Sequence, residues 1–228
     1  MNIANTTPLP SASLLVPANK KRYACEGTKP DTLADIYEEE VNIVIWKRQL
    51  SNNLKTIATN FLTANPNYQI TATIKSKTIS SDIKQALGKT MPSEISDDIA
   101  ELVDMFCLLF DLSRAGLRLT ALNKAMCPKF HVDQVPCRLI TTYHGIATQW
   151  LPSQNTNRKK LGTGSNEKPD EKSGLFQNAH DIRQLNSGDV ALLKGESWQD
   201  DEGGGLIHRS PSIQQNESRL LLTLDFAI

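Results

Sequence analysis

The sequence predicts an α+β protein: a jelly-roll barrel of short strands in the C-terminal half, with N-terminal helices packed on its outer face. Three observations predict it. Before about residue 116, apolar side chains recur at helical spacing. From Leu117 onward they alternate, or cluster in short runs separated by Pro and Gly turns. The last run, 219–226, sets a face holding Arg219, Leu221, Thr223 and Asp225 against a wholly apolar face of Leu220, Leu222, Leu224 and Phe226. A strand reads this way when helices cover its outer side.

Taken in order, residues 1–30 are Asn-, Thr-, Ser-, Pro- and Lys-rich and read as a disordered arm. Asp31 can cap a short helix carrying Leu33, Ile36 and Tyr37. The β-branched run 41–46 reads as a strand. Leu50, Leu54, Ile57, Ala58 and Phe61 make an amphipathic helix that stops before Pro66. Residues 68–77 alternate like an edge strand. Ile95, Ile99, Leu102, Val103, Phe106, Leu109 and Phe110 form a wide stripe on a second helix, with Gly116 just past its end. A stripe that wide expects a sheet. Strands are expected at 117–122, 129–133, 138–144 and 148–151, then at 182–185, 190–194, 205–208 and 219–226. Between the two sets, 153–174 is too polar to bury a core and reads as a flexible surface loop. The expected division is an arm at 1–30, a helical region at 31–116 and a strand-built, metal-binding region at 117–228.

Composition narrows the function classes. With 25 basic and 25 acidic residues in 228, no basic field points to nucleic acid. Cys25, Cys107, Cys127 and Cys137 form no close pairs, which argues against a zinc ribbon or a disulfide framework. Residues 1–17 lack the basic and apolar regions of a signal peptide, and no run is long enough to span a membrane. A cytoplasmic protein is the expectation.

The chemistry concentrates on histidine. Of the 4 His, His131 stands two residues before Asp133 in a strand-like stretch, where such neighbours share a face. An imidazole and a carboxylate side by side can reach one metal ion. His208, on a later strand behind Gly203, Gly204 and Gly205, supplies a third ligand and leaves coordination positions open. Arg219 opens the last strand on the face turned to the cavity, where its planar fork can grip a carboxylate.

These residues carry a resemblance. His131 and Asp133, the distal His208 and the later Arg219 resemble the iron(II)- and 2-oxoglutarate-dependent dioxygenases, whose fold is a double-stranded β-helix. The text FHVD (130–133) followed by RLITTY (138–143) is similar to the prolyl-hydroxylase-like branch. More closely, MCPKFHVD (126–133), RLITTYHG (138–145), HRSP (208–211) and RLLLTLDF (219–226) resemble an uncharacterised bacterial family, domain of unknown function 1826. The resemblance implies that His131, Asp133 and His208 bind iron(II) as the catalytic metal. It implies that Arg219 grips the distal carboxylate of 2-oxoglutarate, which is decarboxylated to succinate as a C–H bond of an unknown small-molecule or protein substrate is oxidised. Tyr143 is a second candidate for cosubstrate binding.

Several residues carry plainer readings. Tyr143 also fits as a packing residue. Arg138 and His144 have the opposite parity, so both sets reach the cavity only if a bulge intervenes. Cys127 shares the strand parity of His131, which suits a thiolate ligand, but Pro128 interrupts the strand and a buried structural thiol is the plainer reading. Arg209 alternates away from the ligands. His180 and Asp181 fit a solvated turn, and the glycine run 203–205 a hinge. Two further functions remain open: a cupin-like zinc- or iron-binding protein of metal homeostasis, and an interaction module contacting partners through 1–30 and 153–174.

Overall fold

The β-branched run 41–46 and the apolar alternations of the C-terminal half assemble into one large sheet. In the computed structural model, which describes residues 22–199 and 203–227, the strands are β1 (Tyr23–Gly27), β2 (Val41–Trp46), β3 (Gln69–Lys75), β4 (Arg114–Leu122), β5 (Cys137–His144), β6 (Gln149–Leu151), β7 (Arg183–Gln184), β8 (Val190–Lys194), β9 (Ile207–Arg209) and β10 (Arg219–Phe226). Seven of them form the major sheet, in the order β1-β2-β8-β5-β10-β4-β3. The minor sheet has the order β7-β6-β9.

The helices α1 (Asn52–Ala64), α2 (Ile79–Leu87) and α3 (Ser93–Leu109) cover one face of the major sheet. Leu220, Leu222 and Leu224 point into that layer against Ile99, Leu102, Val103 and Phe106, so the apolar face of 219–226 is the helix-covered one. The opposite face meets the minor sheet through Ile43, Ile45, Ile140, Ala191 and Leu221, packed against Trp150, Leu185 and Leu206. The layers are therefore helices, major sheet and minor sheet, with the site between the sheets.

One expectation is met in part and three need correction. The strands form two facing sheets, consistent with a double-stranded β-helix, and among the described residues they do not join into a closed barrel. β1, β2 and β3 from the N-terminal half all add to the major sheet, which thereby outgrows its three-stranded partner. The arm 1–30 extends too far: residues 1–21 lie outside the described residues, but Tyr23–Gly27 pairs in parallel with β2, and a 3-10 helix runs from Pro30 to Tyr37. Residues 129–133 form no strand, only a single bridge at His131. Pro128 and Pro136 flank this stretch and cannot donate to a ladder. Finally, 153–174 is not an open loop. It winds through short 3-10 turns into α4 (Asp170–Ser173), where buried Asp170 accepts the Phe130 amide at 2.8 Å.

α2 was not expected, although Ile79, Ile83 and Leu87 stand at helical spacing. Intervening Ser and Asp, and a length of 9 residues, kept the signal weak. The glycine run also does more than bend. A Cβ on Gly205 would fall 2.4 Å from Val132 Cγ1, so this glycine lets the approach to β9 press against the segment between His131 and Asp133.

Candidate metal centre

Backbone pairing brings the two histidines together. The His131 amide donates to the His208 carbonyl at 3.0 Å, and the His208 amide returns the bond to His131 at 2.9 Å. Residues that exchange both bonds present their side chains on one side. The two imidazole centroids accordingly lie 4.6 Å apart. Asp133 reaches the same point: one carboxylate oxygen is 3.6 Å from His131 Nε2 and the other is 3.3 Å from His208 Nε2. The three donor atoms all lie within 4.8 Å of one another.

Each imidazole is oriented by a carbonyl. His131 Nδ1 lies 2.9 Å from the Lys129 oxygen, and His208 Nδ1 lies 3.2 Å from the Leu206 oxygen. A carbonyl only accepts, so both Nδ1 atoms carry the proton and both Nε2 lone pairs face the Asp133 carboxylate. Two lone pairs and an anion repel unless positive charge sits among them. A divalent metal ion supplies that charge, and the donor chemistry fits one: ligands at about 2.1 Å on adjacent coordination positions stand about 3 Å apart. Without metal, the same carboxylate favours a proton on His131. Hydrogen bonding to Asp133, against the opposing effect of burial, raises the His131 pKa above its ordinary value. Burial alone would raise that of Asp133. The imidazoles and the charges of His208 and Arg138 outweigh it and hold the carboxyl far below its usual range.

A pH dependence follows. The raised His131 pKa stabilises the metal-free fold fully below the ordinary histidine value of about 6.5, and that contribution is lost as pH rises through the raised value. Metal needs the Nε2 proton gone, so its stabilisation runs the other way. Melting curves with and without Zn(II) should show a metal-induced rise in Tm that grows as pH increases through neutrality. An increment independent of pH would contradict ligation by imidazole.

Arg138 holds the carboxylate in place. Its Nη1 donates to Asp133 at 2.7 Å, while Nε and Nη2 fork onto Asp225 at 2.7 and 2.9 Å. The sequence left open whether Arg138 or Tyr143 faced the cavity, and a β-bulge decides it. Leu220 pairs with His144 and Leu221 with Thr142, so Tyr143 is skipped and turned to the helices. There it is buried, and its hydroxyl donates to Asp98 at 2.5 Å. His144 bonds Thr59 on α1. Tyr143 is therefore withdrawn as a cosubstrate ligand, because it lies on the wrong side of the sheet. Arg138→Gln is expected to weaken metal binding by roughly 10–100-fold, the range for partners that orient a ligand. Competition with a fluorescent zinc chelator would measure it, and unchanged affinity would leave Arg138 a purely structural role.

Arg219 is 1 % exposed, and burial lowers its pKa to about 10. Its partners are hydroxyls: Thr142 at 3.0 and 3.3 Å, Thr148 at 2.7 Å and Ser210 at 3.2 Å. No described carboxylate pairs with it. It lines the same pocket as His131 and His208, together with Arg118, Thr120, Arg138, Ile140 and Leu221. A buried guanidinium held by neutral groups is a prepared anion site. Cys127 lines this pocket but is exposed, not a buried thiol. Arg209 also borders it, although its charge is taken up by Asp170 and Glu171. Arg118 and Thr120 went unnoticed in the sequence, where their parity was visible but the register that turns them to the pocket was not.

Among the described residues, no helix is long and apolar enough to cross a membrane. No curated protein matches the sequence. The fold is similar to that of a rice dioxygenase for auxin oxidation, at 10% identity over 90% of this chain and 83% of that one, with a TM-score of 0.48. It is similar to a Pseudomonas putida prolyl-4-hydroxylase, at 10% identity over 86% and 97% with a TM-score of 0.45. It is also similar to Neurospora crassa T7H in complex with alpha-KG, at 9% identity over 98% and 88% with a TM-score of 0.46. A family model described as Protein of unknown function (DUF1826) matches residues 27–225, and the chain belongs to that family.

Proposed function

We propose that this protein is an iron(II)- and 2-oxoglutarate-dependent oxygenase. The observation that carries the reading is Arg219: a buried cation with no described counter-ion, in the pocket that the two imidazoles of the triad, His131 and His208, also line. Two histidines and one carboxylate with positions left open are the donor set of non-haem iron oxygenases. Iron(II) held by His131, Asp133 and His208 would supply dioxygen activation coupled to decarboxylation of the keto acid to succinate.

The chain's own residues account for the rest. Arg219 offers the distal carboxylate its charge and its remaining Nη1 N–H, and Thr142, Thr148 and Ser210 hold the guanidinium in place. Ile140 and Leu221 give the pocket an apolar wall, which strengthens the electrostatic contacts inside it. Arg138 fixes the Asp133 carboxylate and leaves its charge matched by Asp225.

A protein that only stores or buffers zinc needs no grip on a keto acid, so affinity for 2-oxoglutarate separates the two metal readings. Anaerobic protein given iron(II) and 2-oxoglutarate should develop a weak visible charge-transfer band, and oxygen should then release succinate. Stoichiometric zinc that iron cannot displace, with no affinity for 2-oxoglutarate, would establish the zinc-binding alternative instead.

A further inference from the structure

The pocket is lined by four arginines whose charges are balanced differently, and the differences point to the second substrate. Arg138 is matched by Asp133 and Asp225, and Arg209 by Asp170 and Glu171. Arg219, under the oxygenase reading, is taken by the distal carboxylate of 2-oxoglutarate. Arg118 is left over. It lines the pocket and is exposed, with no ion pair or hydrogen bond to any described residue.

Thr120 adds a second, independent sign. It is 4 % exposed, it lines the same pocket, and its hydroxyl has no hydrogen-bond partner. A buried hydroxyl without a partner costs free energy that a ligand atom can recover. Both residues stand on β4 and face the pocket from one wall. Arg118 pairs with Thr223 of β10, and Thr120 with Leu221.

Register places this wall relative to the cosubstrate site. Arg219 pairs with Leu122, so Arg118 lies about 13 Å further along the strand, one alternate rung short of the Asp225 that holds Arg138. Arg118 therefore serves the metal's end of the pocket, and Arg219 the other. Beyond β4 the same face runs out onto β3, where Gln69, Thr71 and Thr73 are exposed because the minor sheet does not reach that far.

We infer that the substrate to be oxidised is a small molecule bearing a carboxylate or phosphate oxyanion, which Arg118 and Thr120 bind at the metal's end of the pocket. This rests on the oxygenase reading. Ile140, Leu221 and Met126 supply the apolar surface for the remainder of the molecule.

The test is calorimetric and needs no turnover. Metal-loaded protein saturated with 2-oxoglutarate is titrated anaerobically with benzoate against benzamide, and with phenyl phosphate against phenol. The anion of at least one pair should bind roughly tenfold or more tightly than its neutral partner, as a charge-assisted contact requires. That preference should vanish in Arg118→Gln and shrink in Thr120→Val, with 2-oxoglutarate affinity unchanged in both. Which pair responds tells carboxylate from phosphate. Equal binding of anion and neutral partner, or no binding of either anion, overturns the inference and leaves the oxygenase standing. Loss of 2-oxoglutarate binding itself in Arg118→Gln would also overturn it, by assigning Arg118 to the cosubstrate. If the wild type binds no 2-oxoglutarate at all, the oxygenase reading has failed first.

Discussion

Alanine at His131 or His208 is expected to strip the protein of metal, from about one ion per chain to a trace. A site of three protein ligands that loses one keeps only two, and the loss should exceed the roughly 10–100-fold typical of an orienting partner. His131 is half-buried and anchored mainly through its backbone pair with His208, so its removal should leave the fold intact. Elemental analysis after dialysis, with circular dichroism as the control, measures both. Full metal content in either variant would remove the triad as the binding site, and with it every functional reading built on metal.

Arg219→Met is expected to separate function from stability. The side chain is fully buried, and its charge is compensated by three hydroxyls and no carboxylate. Removing the cation ends its desolvation cost, but Thr142, Thr148 and Ser210 lose the donor they accept from, at about 1–3 kcal/mol for a buried polar group left unpaired. The two effects oppose each other, so the Tm of Arg219→Met should shift only modestly. Affinity for 2-oxoglutarate should fall by roughly 100-fold or more, as for a charge-assisted contact at a desolvated cation. Thermal melts and calorimetric titration check the two halves. A stable variant with undiminished affinity would sink the cosubstrate role. A variant that unfolds would show instead that Arg219 is a structural keystone; Arg219→Lys, which keeps charge but loses the fork, then isolates the binding contribution.

The outcome at position 219 illustrates what local sequence carries. Strand parity alone placed Arg219 and Leu221 on one face and the leucines on the other, because the period of two is a property of the backbone itself. Helices α1 and α3 were legible for a similar reason: their apolar stripes must be buried whatever they meet. Parity fails where the backbone breaks its own period. The bulge at Tyr143 put two successive residues, Tyr143 and His144, on the helix side, and no feature of RLITTYHG marks it.

The sequence by itself determined the residue types of the site, the face that Arg219 takes and the division into a helical layer and a strand-built one. Only the tertiary structure decided that the strands divide into two facing sheets of unequal size, that Arg138 rather than Tyr143 reaches the cluster of His131, Asp133 and His208, and that Arg118 and Thr120 look into the same pocket. The physical reason is range. Periodicity acts between neighbours a few residues apart, and it is written in the chain. Register between β4, β5 and β10 is fixed by hydrogen bonds and packing among segments distant in sequence, so it exists only once the sheet has formed.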